Sequence, residues 1–371
     1  MNEADQLADW LRLQQARGIG SITGNRLLKL FSYNPSAVLT ASPQKLKAHG
    51  FSDAVSLALA DANNICVQSC LTWQAQQPDH HIVTQNHPHY PTLLKTCPDA
   101  PALLFVVGNI EALSYAPRLA FVGSRRCTRS GQNNANLLAS QAATIGFCIV
   151  SGLAYGIDAS AHNAALVAKT YTIAVLANGL DKIYPKAHAC LADRIRRQGV
   201  LISEYPPTTK PLAQHFPQRN RIISGLAFAT VVVEAAARSG SLITAQHALN
   251  QGRDVFCVPG SINNPYAVGC HRLIQQGAKL ITCIDDILDE FSGWTPGSCP
   301  QQVAKRNLSL NQPSKSLLEI IEFDPISVDE IIEKSGLTPE EVCSMLVELE
   351  AAGRVICDIN GLYSQSTMEG D

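Results

Sequence analysis

Between residues 102 and 291, short apolar runs alternate with segments whose apolar positions recur at helical spacing. The runs are ALLFVVG, LAFVGS, FCIVSG, YTIAVLA, GVLISEYP, ATVVVEA, DVFCVPG and KLITC. Each is rich in β-branched residues and continuous rather than alternating, the pattern of strands covered on both faces of a parallel sheet. Between them lie stretches such as GQNNANLLASQAATIG and GSLITAQHALNQG, which read as helices. This alternation predicts a doubly wound α/β domain, an extended Rossmann-like and mostly parallel sheet.

The flanks carry other patterns. Residues 1–75 have helical spacing in LADWLRLQQ and ITGNRLLKLF, and predict a helical N-terminal domain of the SAM or helix-hairpin-helix kind. Gly18-Ile19-Gly20 between these helices reads either as a phosphate-holding turn or as a plain helix–helix turn that needs glycine. Residues 76–101, with their Pro and His clusters, read as a linker. A second linker is expected at 292–315. Residues 316–365 follow as a winged helix: SLLEIIEF, SVDEIIEKSG and TPEEVCSMLVELEAAG as three amphipathic helices, the later two opened by Ser327 and Thr338-Pro339. A hairpin turning at Asn360-Gly361 forms the wing.

Composition narrows the class. The chain has 371 residues, room for two or three domains, with 46% hydrophobic and 16% charged residues, as in an ordinary globular protein. No apolar run reaches the roughly 18 residues of a membrane span, and MNEADQLADW is no signal peptide. The twelve cysteines are scattered without a C-x-x-C pair, so no metal site is expected, and a reducing cytoplasmic location is. The spacing of His80, His81, His87 and His89 fits a surface turn better than a metal site. The net charge of −2 conceals an asymmetry. From residue 314 on there are three basic and thirteen acidic residues, a net of −10; the remainder holds 26 basic and 18 acidic, a net of +8. A basic body with an acidic tail domain points to an anionic partner for the body.

In an open α/β sheet the site lies beyond the carboxyl ends of the strands, so the strand-following stretches should hold it. They are GSRR from Gly123, SGLAYGIDASAH, ANGLDKIYP, SEYPPTTKPLAQHFPQRNRIISG, EAAARSGSLITA and PGSINNPYAVGCHRLI. Small residues such as Gly152, Gly156, Gly240 and Ser241 let backbone approach a ligand. The basic side chains include Arg125, Arg126, Arg129, Lys182, Lys210, Arg219, Arg221, Arg238 and Arg272. Asp158 and His162 stand four apart at a helix start and read either as a base with its partner or as a loop brace with a packing residue beneath it. Glu234 reads either as catalytic or as a holder of loop N–H groups. The sequence lacks a G-x-S-x-G elbow, a clustered carboxylate pair and a Walker A loop, which argues against hydrolase, glycosidase and P-loop chemistry. Arginine forks beside small residues fit the phosphates of a nucleic-acid strand. Phe216 and Tyr155 offer rings for base stacking, with core packing the alternative for Phe216.

FVGSRRCTRSG, SGLAYGIDASAH, ISEYPP, FPQRNRIISGLA, VVVEAAARSGSLITA and the run from PG to GCHRLIQQGAKL, over about 119–282, resemble the DNA-processing protein A family (DprA, or Smf) in the family's order. The resemblance implies a single-stranded DNA-binding protein rather than an enzyme. Such a protein protects incoming strands and loads the RecA recombinase in natural transformation, as a homodimer, with no cofactor. It makes Gly123, Ser124 and Arg125 a phosphate grip and Arg219, Asn220 and Arg221 part of an R-N-R loop. It also makes the region around His271, Ile274 and Leu280 a self-association surface. Ser130 stands where an aromatic residue is expected before Gly131, so a stacking or packing contact is in doubt there.

Two rivals belong to other classes. One is a nucleotide-binding enzyme or sensor of the Rossmann-like nucleoside-monophosphate glycosidase class, whose P-G-G-x-G-T-x-x-E stretch is absent here. The other is a duplex-reading transcription factor. Its recognition helix would carry Glu340, Glu341, Glu348 and Glu350 and no basic residue, which phosphate repulsion disfavours. That helix fits a protein partner, or the basic body of its own chain, better.

Overall fold

A computed structural model of the chain describes residues 3–62, 65, 67–291, 317, 320–321, 326–351, 355–357 and 362–365. Contacts divide the chain into two units, 1–299 and 300–371.

The eight expected strands form, and one more joins them. β1 (His80–Thr84), β2 (Leu103–Gly108), β3 (Arg118–Val122), β4 (Cys148–Ser151), β5 (Thr172–Val175), β6 (Val200–Ser203), β7 (Ala229–Val232), β8 (Asp254–Cys257) and β9 (Lys279–Leu280) make one sheet. Its order is β1-β2-β6-β5-β4-β3-β7-β8-β9. β1–β2 and β2–β6 pair antiparallel, and every other pairing is parallel. Strands β2 to β7 are buried along their whole length, as continuous apolar runs require.

β1 corrects the linker expected at 76–101, because that stretch supplies an edge strand and the short helix α7 (Thr92–Thr96). Only Ile82 and Val83 of HHIVT are buried, and His80 stacks on Trp73 at 4.3 Å between ring centroids. A strand with so short an apolar centre does not announce itself by pattern.

Among the described residues six helices precede the sheet: α1 (Glu3–Gln15), α2 (Ser21–Leu30), α3 (Pro35–Leu39), α4 (Pro43–Ala48), α5 (Asp53–Ala62) and α6 (Gln68–Gln76). Leu11, Leu27, Leu28 and Trp73 share one apolar cluster with Leu103, Phe105 and Val107 of β2. The helical segment is thus built onto the sheet edge within one unit. The remaining helices of this unit are α8 (Arg129–Thr144), α9 (Ile157–Val167), α10 (Ala189–Gln198), α11 (His215–Leu226), α12 (Gly240–Asn250), α13 (Val268–Gln275) and α14 (Asp285–Leu288). The alanine face of α8 packs with Leu119, Phe121 and Ile149 on one side of the sheet, while Ala120, Val122 and Val150 face a second cluster on the other. α11 revises another expectation, since FPQRNRIISG is helix rather than loop.

The second unit contains α15 (Val328–Ser335), α16 (Pro339–Ala351) and a three-stranded sheet of β10 (Ile326–Ser327), β12 (Leu362–Gln365) and β11 (Val355–Cys357). Ser327 and Glu330 form a reciprocal capping box at the start of α15. The elements surround a small core that includes Ile326, Ile331, Val342 and Leu346. The 292–315 linker, the Asn360-Gly361 turn and most of SLLEIIEF lie outside the described residues. No helix among the described residues is long and apolar enough to cross a membrane.

Candidate nucleic-acid interface

The sheet sends its chain one way from β3 through β4, β5 and β6, then returns to place β7 on the other side of β3. That reversal opens a crevice at the carboxyl ends of β3 and β7, where ligands of such sheets bind. A groove of about 790 Å³ lies there. Gly123, Ser124, Arg125, Phe216, Arg219, Asn220, Gly240 and Ser241 all line it, so most of the residues singled out from the sequence are brought together. Lys210 is exposed and is not among the lining residues, although its neighbour Pro211 is.

The stretch after β3 is held from below. Ser124 N–H donates to Glu234 O at 2.7 Å. The Glu234 carboxylate accepts from Thr128 N–H at 2.9 Å and from Thr128 O–H at 2.6 Å, and Asn264 donates to it at 3.3 Å. The Ser124 hydroxyl accepts from Arg126 N–H at 3.2 Å. Gly131 is required because a Cβ there would fall 2.4 Å from the Glu234 carboxyl carbon. Glu234 therefore acts as the holder of loop N–H groups. The residue this support projects is Arg125, exposed, with its guanidinium 5.3 Å from the Phe216 ring centroid. Arg126 is exposed and lines the same groove.

The loop after β4 is braced the same way. Asp158 is buried and accepts from Gly152 N–H at 3.0 Å and Ala154 N–H at 3.3 Å. Burial raises its carboxyl above the usual range, against the pull of the Arg219 charge. Gly156 has φ +75°, and a Cβ there would meet Ser124 O at 2.4 Å. His162 lies beneath, fully buried, with Nδ1 2.7 Å from Thr172 Oγ1. Thr172 already donates to Ile149 O, so His162 Nδ1–H is the donor in that pair. Burial pushes the imidazole down to about 3.

Two arginines depart from their expected role. Arg219 borders the groove but is only 4% exposed, and its Nη1 donates inward to Gly152 O at 2.8 Å and to Val175 O. Burial pushes its guanidinium down to about 10, with Asp158 opposing. Its work is to tie the carboxyl ends of β4 and β5 together. Arg221 does not face the groove at all. It is 7% exposed and pairs with Glu204 at 2.5 Å, with Asp99 at 3.7 Å. On a helix, residues two apart point about 200° apart, so the R-N-R sequence cannot present both arginines to one strand. Asn220 Nδ2 donates to Gly240 O at 3.2 Å and joins α11 to the start of α12.

Tyr184 is the residue the sequence reading passed over. It is 45% exposed, lines the groove and meets Phe216 edge-on at 5.6 Å. Tyr155, Tyr184, Phe216 and Arg125 also surround a small side cavity of about 60 Å³. The available signal was position: Tyr184 lies in ANGLDKIYP, one of the strand-following stretches, nine residues beyond the end of β5 at Val175. At the far sheet edge, Leu280 is 44% exposed on β9, Ile274 is half-buried and His271 Nε2 lies 2.9 Å from Gly260 O. Among the described residues no cluster of His, Cys, Asp and Glu has the form of a metal site.

A family model described as DNA recombination-mediator protein A matches residues 81–292, and one described as DprA winged helix domain matches residues 303–357. Protein Smf of Escherichia coli (strain K12) is 43% identical over 292 residues, 77% of this chain and 78% of that protein. The solved structure of DNA processing protein A from Streptococcus pneumoniae is similar with a TM-score of 0.65 at 38% identity, over 76% of this chain and 97% of the other. That of DNA processing protein A from Helicobacter pylori, described for its single-stranded DNA binding mode, gives 0.52 at 28% identity, over 57% and 95%.

Proposed function

The chain belongs to the DNA-processing protein A family, whose role is DNA processing and recombination mediation, and we propose on that premise that it binds single-stranded DNA in the groove at the β3/β7 crevice. In this reading it protects incoming strands and loads RecA recombinase in natural transformation. It works in the cytoplasm as a homodimer joined through the β9 edge. The observation that carries the reading is the exposed Arg125 poised over the Phe216 ring in that groove. The guanidinium can take a phosphate and the ring a base, and neither contact depends on sequence.

A binding role without turnover is favoured by the state of the acids. Glu234 and Asp158 both accept from backbone N–H groups and brace the loops, which supports a structural part for them over a catalytic one. The half-exposed Leu280 on an edge strand, with Ile274 nearby, favours a two-fold contact.

The test is a gel shift with single- and double-stranded oligonucleotides, with and without ATP. The expected result is preference for the single strand, independent of ATP. With about four phosphates neutralised, log K against log salt should have a slope near −2.8, from about −0.7 per contact. Equal affinity for duplex, salt-independent binding, or release of ribose from nucleoside monophosphates would each overturn the reading.

A further inference from the structure

Two rings share the strand groove with Arg125, and they are not parallel. Phe216 and Tyr184 meet edge-on, with centroids 5.6 Å apart and planes 61° apart. Phe216 is half-buried and Tyr184 is 45% exposed, and both line the groove.

The chain that carries each ring fixes this angle. Tyr184 belongs to the stretch after β5, which buried Asn178 pins by donating to Lys182 O at 2.7 Å. Gly179 N–H donates to Thr209 O at 2.9 Å, and Asp181 N–H to Pro207 O at 3.2 Å. A Cβ at Gly179 would overlap Pro207 O, so the stretches after β5 and β6 lie as close as glycine allows. Pro185, directly after Tyr184, is buried. Phe216 sits in the first turn of α11, where the neighbouring His215 has Nδ1 3.2 Å from Ala177 O of the Tyr184 stretch. Both rings are thus tied to one frame, and neither needs a ligand to set its direction.

A base stacks on an aromatic ring by lying parallel to it. Bases that remain stacked on each other in a strand are parallel and about 3.4 Å apart. Two neighbouring bases therefore cannot keep their mutual stack and lie on both rings. To use both, the strand must break the stack and turn between them.

We propose that Tyr184 is a second base platform, and that with Phe216 it selects strands that bend. Two successive bases lie on the two rings, unstacked from each other and turned by the 61° between them. This inference rests on the single-strand function proposed above and names the kind of strand the groove favours. Each ring is indifferent to base identity, but the bend between them is not. Unstacking a step costs free energy. Adenine runs stack strongly and resist it, whereas thymine runs stack weakly. Preferences of this kind come from stacking strength and backbone flexibility, without any hydrogen bond to a base. The same angle disfavours duplex DNA, whose bases cannot leave the stack without losing their pairs. The favoured ligand is a flexible, pyrimidine-rich single strand.

The test titrates the full chain by anisotropy with labelled oligo-dT and oligo-dA of equal length, at one fixed salt concentration. Unaltered, Tyr184→Leu, Tyr184→Phe and Arg125→Ala proteins are compared, each with a thermal melt. The unaltered protein should bind oligo-dT about tenfold more tightly than oligo-dA, within the range of one base–aromatic stack. Tyr184→Leu should weaken oligo-dT about tenfold and oligo-dA less than about twofold, so that the preference nearly disappears. Tyr184→Phe, which keeps the ring, should restore it. Arg125→Ala should weaken both strands alike, because phosphate is common to them.

Equal affinity of the unaltered protein for the two strands overturns the proposal, and that comparison decides the bend even where the leucine variant does not fold. Tyr184→Leu protein that keeps the oligo-dT preference also overturns it, as does one that loses both strands equally at an unchanged melting temperature. Tyr184→Phe protein as weak as Tyr184→Leu shows that the ring was not the contact. Absence of binding to either strand by the unaltered chain sinks the single-strand function itself. Equal binding of both, lost equally in Arg125→Ala, keeps that function and removes the bend alone.

Discussion

Replacing Arg125 with alanine separates a ligand contact from a structural one. The side chain is exposed and touches the protein chiefly through the Phe216 ring, 5.3 Å away. An exposed cation–π contact contributes about 0.5–1 kcal/mol, so Arg125→Ala should melt within a few degrees of the unaltered protein. Its effect on a bound strand is larger, because a charged hydrogen bond to phosphate is worth about 1.5–3 kcal/mol. That corresponds to a dissociation constant roughly ten- to 150-fold weaker. Arg126→Ala should cost less, since among the described residues no aromatic ring holds that side chain over the groove as Phe216 holds Arg125. Arg221→Ala is the contrasting case. It strands the buried Glu204 carboxylate, and removing one partner of a buried pair destabilises by about 3–5 kcal/mol. It should therefore lower the melting temperature sharply while the folded fraction binds a groove-length strand almost normally. The assay is anisotropy of a short labelled oligo-dT at one fixed salt concentration, with circular dichroism melts of each variant. Arg125→Ala protein that binds as tightly as the original, with unchanged dichroism, refutes the phosphate grip. A well-folded Arg221→Ala protein with the larger binding loss refutes the division of labour along α11.

Two further outcomes are expected. Ile274→Glu combined with Leu280→Glu should give a folded monomer by light scattering; a persistent dimer, or an unfolded chain, removes the β9 edge from the interface. His162 should make stability pH-dependent: its pKa is depressed in the folded state to about 3 from 6.5, so its contribution is complete above about pH 6.5 and declines by about 1.4 kcal/mol per unit as pH falls toward 3. Asp158 and Glu204 have raised values and oppose this slope, so urea melts at pH 7 and pH 5 should compare unaltered protein with His162→Gln, and equal pH dependence in the two would contradict the assignment.

The sheet was legible because burial on both faces leaves a continuous β-branched run in β2 to β7, and all eight runs between 102 and 283 contain strands, although β9 is only two residues long and not buried. β1 was hidden because only Ile82 and Val83 of its five residues are buried. The crevice followed from topology alone, so Gly123, Arg125, Phe216 and Gly240 could be named from what succeeds each strand. The direction of a side chain could not. Arg219 and Arg221 look equivalent as letters, and reading FPQRNR as a loop removed the one clue, the 100° turn per residue, that sends them to different walls. Glu234 and Asp158 were ambiguous for a related reason. A buried carboxylate that holds N–H groups and a catalytic one occupy the same place after a strand, and only their partners tell them apart.

Those partners also explain how the GSRR turn tolerates its unusual neighbour. An aromatic residue is expected before Gly131, and Ser130 stands there instead, exposed in the first turn of α8. The turn itself hangs on Glu234, whose carbonyl and carboxylate take the N–H groups of Ser124 and Thr128, and on the absence of a side chain at Gly131. Thr128 in turn caps α8 by accepting from Gly131 N–H at 3.0 Å. None of these bonds involves residue 130. The serine therefore subtracts a surface contact that a strand or a neighbouring side chain would have met. It leaves intact the support that fixes Arg125 over Phe216 before any ligand arrives, and that fixed geometry reduces the ordering cost of binding.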